Sequence, residues 1–242
     1  MKALLLSGLI LLMTGSAYAA QPFVVVELFS SEGCSSCPPA DELLRQITHQ
    51  AKANNQRVFT LSFQVDYWNY LGWVDPFSSP EFTRRQHQYA QVLGESSVYT
   101  PQMIVNGQKG FVGSDGTKAK QSIEEYLNAA ASNSISLGLK SDDPKQVELS
   151  YSCDSISADT VIHFALVESA LQSQVTAGDN QGSVLKHDHI VREFKTIPLA
   201  EREGSVVFQK PADVDEGSFS VIAYIQNEKN MNISGADSMD IK

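Results

Sequence analysis

Phe23-Val24-Val25-Val26-Glu27-Leu28-Phe29 is followed, after four residues, by Cys34-Ser35-Ser36-Cys37-Pro38-Pro39 and then by Asp41 and Glu42. The first stretch is β-branched and aromatic, as expected of a strand buried on both faces. Prolines and acids both suit a first helical turn, so a helix is expected from Pro38. Leu43, Leu44, Ile47 and Ala51 continue it at helical spacing to about Asn54. Val58 to Val65 reads as a second strand, and a helix between two such strands makes a βαβ unit with a parallel pair. Both cysteines then lie where a strand turns into a helix, and the unpaired N–H groups there favour negative charge. Cys34 is expected to be the more exposed sulfur and the attacking thiolate, with Cys37 the resolving thiol. Ser35 and Ser36 keep the loop narrow and add hydroxyls able to donate to a thiolate.

Further along, Asp66 to Ser79 is an aromatic-rich insertion carrying Tyr67, Trp68, Tyr70, Trp73 and Phe77. Ser79-Pro80-Glu81 opens a helix to about Leu93. Gln102 to Val105 and Gln108 to Val112 flank Asn106-Gly107, a strong hairpin signal. Thr117 is expected to cap a third helix that ends near Asn133. From Ser134 the texture changes to short alternating runs such as Val147/Leu149/Tyr151 and Phe219/Val221/Ala223/Ile225, with nothing helical of any length. The expected architecture is an α/β domain, βαβαββα with a mixed sheet, over residues 20–133, then an all-β sandwich-like domain over 134–242.

Residues 1–19 have the pattern of an export signal: Lys2, an apolar run from Ala3 to Met13, and Ala17-Tyr18-Ala19 at the cleavage point. The run is shorter than the ~20 residues that span a bilayer, so no membrane anchor is expected. A periplasmic or secreted location follows. Losing the leader removes one basic residue from a chain with 18 basic and 28 acidic side chains, a balance that argues against non-specific nucleic-acid binding. In an oxidising compartment the close pair Cys34 and Cys37 can form a disulfide, leaving Cys153 over. Cys153 follows Val147, Leu149 and Tyr151 at period two, which points it inwards as an inert thiol.

The residues of the pair fit three readings: a redox centre, an inert disulfide, or a copper(I) clamp of two soft thiolates. A four-ligand zinc site would need two more ligands from Cys153 and the scattered His49, His87, His163, His187 and His189. His187-Asp188-His189 would place two imidazoles on one strand face, but with no carboxylate or thiol partner visible, and neither a metal nor a cofactor is expected.

The βαβαββα order, with Thr100-Pro101 just before the hairpin strand, resembles the thioredoxin superfamily. The resemblance implies a cis proline at Pro101, facing the cysteines and, with Thr100, shaping a groove for an extended thiol or disulfide substrate. It also implies a role for Glu27 as a buried acid that moves a proton from Cys37; a salt bridge from Glu27 to Arg84 or Arg85 is the alternative. Gly33 stands where thioredoxins carry an aromatic residue. The enlarged insertion offers Trp68 and Trp73 as substrate anchors and Asp66 or Asp75 as polar contacts, or else a core beneath a long loop. More narrowly, Val25-Glu27-Leu28-Phe29, Cys34 to Asp41, Asp66-Tyr67-Trp68, Leu71-Gly72-Trp73 and Tyr99 to Gln102 are similar to a secreted bacterial family catalogued as domain of unknown function 1223. The implied activity is thiol-disulfide oxidoreduction, acting on a protein or small-molecule substrate with an unidentified redox partner. The rival reading is a non-catalytic envelope binding protein on the same scaffold.

Overall fold

Strand β1 (Val24–Ser30) is buried along its whole length, as its composition dictates. The computed structural model describes residues 20–211 and 218–241, so the expected leader lies outside the described residues. Helix α1 (Pro38–Ala53) carries the chain to β2 (Val58–Gln64), which runs parallel to β1 from Val24 opposite Val58 to Ser30 opposite Gln64. A single 3-10 turn, Asn69–Leu71, interrupts the insertion. Helix α2 (Pro80–Leu93) starts at Ser79, whose hydroxyl accepts from the Glu81 amide at 3.1 Å, and stops at Gly94, where φ is +71°. Strand β3 (Gln102–Val105) lies antiparallel to β1 and forms a hairpin with β4 (Lys109–Val112). Helix α3 (Gly116–Leu127) follows, completing the βαβαββα order. Its cap is Asp115, which accepts from the Lys118 amide at 3.0 Å, rather than Thr117, and it ends six residues before the expected Asn133. Thr117 lies already inside the first turn, so its hydroxyl cannot take the capping position.

The second half contributes only strands among the described residues: β5 (Ile135–Asp142), β6 (Gln146–Cys153), β7 (Thr160–Ser169), β8 (Leu171–Gln174), β9 (Val184–His187), β10 (Ile190–Pro198), β11 (Glu203–Gln209), β12 (Ser218–Asn227) and β13 (Ile233–Ile241). They do not all sit in sheets of their own. Eight strands form one mixed sheet in the order β13-β12-β7-β10-β2-β1-β3-β4, so the sheet crosses the expected boundary at residue 133. The junction is narrow: Ile190 is paired with Ser62 in parallel, and the Ser62 amide donates to the His189 carbonyl at 2.9 Å. A three-stranded sheet, β11-β6-β5, covers one face of the added strands and shares a core with them through Val147, Leu149, Phe208, Phe164, Leu166 and Val221. The sandwich layers thus exist, but one layer is an extension of the first sheet. Alternation marks which residues face inwards and is silent about which strand pairs with which.

The two faces of β1 bury different cores. Val24, Val26 and Leu28 pack with Ala40 and Leu44 of α1, while Val25 and Phe29 pack with Phe82 and Tyr89 of α2 and with Tyr224 of β12. The hairpin turn joins the two halves. Asn106 and Gly107 both have positive φ, and the Asn106 carboxamide oxygen accepts from the Val25 amide at 2.6 Å. A Cβ on Gly107 would lie 1.8 Å from the backbone oxygen of Met231, in the β12–β13 connection. Gly107→Ala is therefore expected to destabilise the protein by more than about 2 kcal/mol in urea denaturation, because both φ and the backbone contact forbid a side chain.

Candidate functional site

Cys34 and Cys37 are joined by a disulfide at the head of α1. Cys37 has helical dihedrals and its carbonyl accepts from the amides of Ala40 at 2.8 Å and Asp41 at 3.1 Å, so the second sulfur is already in helical register. The Ser36 hydroxyl lies 3.4 Å from the Cys34 sulfur. Ser35 and Ser36 are exposed, but Cys34 is only 2% exposed and Cys37 is fully buried. The expected difference in exposure between the sulfurs is therefore almost absent, because two segments remote in sequence close over the loop.

The aromatic insertion is the first. Trp68 packs on Gly33: a Cβ there would meet the Trp68 Cβ at 3.2 Å, which is why no aromatic side chain stands before Cys34. The Trp68 indole donates to the Thr100 hydroxyl at 2.7 Å. The Thr100-Pro101 bond is cis, and Pro101 and Ala40 of α1 both border Gly113, where a Cβ would lie 3.0 Å from the Pro101 Cβ and 3.2 Å from the Ala40 Cβ. Trp73 donates to the Glu32 carboxylate at 2.8 Å, so it anchors the loop from within. Asp75 accepts from the amides of Glu32 at 2.8 Å and Phe77 at 2.9 Å. Asp66 is occupied at the start of α2, where it accepts from the Thr83 hydroxyl at 2.6 Å. Tyr70 and Val74, at 77% and 69% exposure, are the large hydrophobic side chains of this insertion that face solvent.

The second segment runs from β8 to β9. Asn180 donates to the backbone oxygens of Glu32 at 2.8 Å and Cys34 at 3.0 Å, and His187 lies 3.0 Å from the Glu32 carboxylate. The result is a group of charges in which Glu32, Asp75 and His187 are buried and Asp41, beside the Ser30 hydroxyl, is half-buried with its Oδ1 enclosed. Burial opposes the charge of Glu32, but the hydrogen bonds from His187, Ser173 and Trp73 outweigh it and hold its pKa down. His187 is raised despite burial, through its bond to Glu32 and the charges of Asp41, Glu32 and Asp75. Burial pushes Asp41 up to about 6, against the attraction of His187 and the nearby Ser30 hydroxyl. Burial likewise raises Asp75 to about 6. Asp41 Oδ1, Ser30 Oγ and His187 Nδ1 are buried without a hydrogen-bond partner among the described residues.

Two expectations need correction. Glu27 does not face the cysteines: it shares the face of β1 opposite Val26 and Leu28, which pack beneath α1. There Arg85 donates to its carboxylate from Nε at 3.1 Å and Nη2 at 2.7 Å, and the Tyr224 hydroxyl donates at 2.6 Å. The salt-bridge alternative thus holds, with Arg85 and not Arg84. His187 and His189 also part company, because the chain turns at His189 with φ +53°. His187 meets Glu32, while His189 Nδ1 lies 2.9 Å from the Thr60 hydroxyl and Asp188 pairs with His49 at 2.8 Å. Among the described residues no three His, Cys, Asp or Glu side chains are grouped to hold a metal ion. Cys153 is a buried free thiol whose pKa burial pushes up.

A family model described as protein of unknown function, DUF1223, matches residues 25–226. The chain belongs to the DUF1223 family. The X-ray structure of protein AGR_C_4864 from Agrobacterium tumefaciens is similar to it, with 29% identity, a TM-score of 0.66, and coverage of 91% of this chain and 96% of that one. A domain of the outer membrane lipoprotein Omp28 from Porphyromonas gingivalis shows a fainter likeness, at 10% identity and TM-score 0.29 over 46% of this chain and 97% of that one. Comparison with curated proteins gives no match. The DUF1223 span takes in the cysteine pair, the aromatic insertion, Asn180 and His187.

The raised acid makes a prediction about stability. Asp41 binds its proton more tightly in the folded chain than in the unfolded one, so its ionisation weakens the fold as pH rises from about 4 through 6. Asp41→Asn is expected to be more stable than wild type at pH 7, by about 2–3 kcal/mol, with the gain vanishing near pH 4. Urea denaturation across this pH range measures it.

Proposed function

We propose that this DUF1223 protein is an exported thiol-disulfide oxidoreductase of thioredoxin type. The observation that carries the proposal is the position of the Cys34–Cys37 disulfide, with Cys37 in helical register at the head of α1 and the cis proline Pro101 on the other side of Gly113 from Ala40 of that turn. Once the bond is reduced, the free amides and dipole of α1 favour a thiolate at Cys34, and the Ser36 hydroxyl is placed to donate to it. Cys34 then attacks a substrate disulfide, forming a mixed disulfide and expelling one substrate thiolate. Cys37 attacks the Cys34 sulfur, restores the internal disulfide and expels the second thiolate, so two electrons pass from protein to substrate. A dithiol donor must reduce the pair again; in the opposite direction the disulfide oxidises a substrate dithiol and an oxidant restores it. Ser35 and Ser36 are the exposed residues between the two sulfurs, and a substrate would reach Cys34 from their side. The leader pattern and the disulfide both support a periplasmic or secreted location.

A second reading has one observation in its favour. Both sulfurs are buried and Asn180 bonds the carbonyl of Cys34, as suits a fixed staple in a binding protein. Titration of the Cys153→Ser protein against glutathione buffers separates the two. A reversible midpoint between about −120 and −270 mV supports the oxidoreductase, whereas a bond that resists reduction below about −300 mV supports the staple. In the first case Cys34→Ser abolishes turnover of a disulfide substrate, and Cys37→Ser accumulates mixed disulfides visible by mass spectrometry.

A further inference from the structure

We infer that Asp41 takes the proton from Cys37 when that thiol resolves the mixed disulfide, and that His187, held by Glu32, is its positioning partner from the second half of the chain. The inference rests on the redox reading above. Cys37 and Asp41 are four residues apart in continuous helical register, shown by the bond from the Asp41 amide to the Cys37 carbonyl at 3.1 Å. Residues so spaced lie one above the other on a helix face, with Cβ atoms roughly 5–6 Å apart. Glu27, the acid on β1, is turned to the other face and neutralised by Arg85, so it is not available.

The surroundings of Asp41 suit a group that changes charge. Ser30 approaches from the end of β1, Glu32 from the cysteine loop, Asp75 from the insertion and His187 from β9. Asp41 Oδ1 has no hydrogen-bond partner among the described residues, so one oxygen is free to receive a proton. His187 is 3% exposed and its Nδ1 is also unpartnered, while its Nε2 is tied to Glu32. A second acid, Asp75, is committed to two backbone amides and cannot substitute. In the step itself, the Cys37 S–H bond breaks and its proton passes to the Asp41 carboxylate. The new thiolate forms the bond to Cys34, the Cys34–substrate bond breaks, and Asp41 returns the proton to the departing substrate thiolate.

The test is stopped-flow reaction of the pre-reduced Cys153→Ser protein with 5,5′-dithiobis(2-nitrobenzoate). Attack by Cys34 releases a first equivalent of coloured thiolate and resolution by Cys37 a second. With Asp41 as base, the ratio of second-phase to first-phase rate rises with pH through a step set by Asp41. In Asp41→Asn that ratio falls about tenfold or more at pH 7 and the step disappears. His187→Gln removes a nearby positive charge and moves the step to higher pH, a displacement that loss of packing alone does not produce. If Asp41→Asn shows both phases with the wild-type ratio and step, Asp41 is not the base, although the redox reading stands. If the reduced Cys153→Ser protein with Asp41 intact releases no coloured thiolate, the redox reading fails and takes this inference with it.

Discussion

Glu32 and His187 face each other at 3.0 Å in a site closed to water, 155 residues apart in the chain, and the geometry around the cysteines depends on that contact. A buried carboxylate persists only where hydrogen bonds and opposite charge replace its hydration. Glu32 has both, from His187 on β9 and from Trp73 in the insertion. Its backbone amide and carbonyl are also taken, by Asp75 and Asn180. The residue two positions before Cys34 is therefore held on every side, and the cysteine loop inherits its position from segments that are not part of the first βαβ unit.

A second buried charge pair organises the opposite face of the sheet. Arg85 stands between α2 and β12 with Glu27, Tyr89, Tyr224 and Gln226 around its guanidinium. Burial works against its charge, but Glu27 and the ring hydroxyls more than compensate, and the guanidinium stays protonated. Removing one member of such a pair leaves an uncompensated charge, typically worth ~3–5 kcal/mol. The strand β1 thus carries an electrostatic anchor on one side and the apolar seat of α1 on the other. This division explains why the acid on β1 cannot serve the cysteines.

Much of the local structure was legible in the sequence. The three helices and the strands that frame the cysteine pair follow from burial patterns, prolines at the start of α1 and α2, and the Asn106-Gly107 turn, all of which act within a few residues. Errors of detail were equally local: Asp115 and Thr117 are both competent caps, and only the path of the chain decides between them. The placement of Glu27 required knowing which face of β1 lies beneath α1, and the fully buried pattern of that strand gave no alternation from which to read it.

By itself the sequence determined the βαβαββα order, the helix-head position of Cys34 and Cys37, and the strand-rich character of everything after Ser134, because these depend on periodicity and turn chemistry in neighbouring residues. Only the tertiary structure decided that β7, β10, β12 and β13 extend the first sheet, that Asn180 and His187 reach back to the cysteine loop, and that Asp41 lies in a charged group with Glu32, Asp75 and His187. Strand pairing and buried ion pairs are set by complementarity between surfaces brought together in folding. Neither leaves a local pattern in the chain, and so the sequence marks Asp75 only as a polar contact and His187 only as half of a histidine pair.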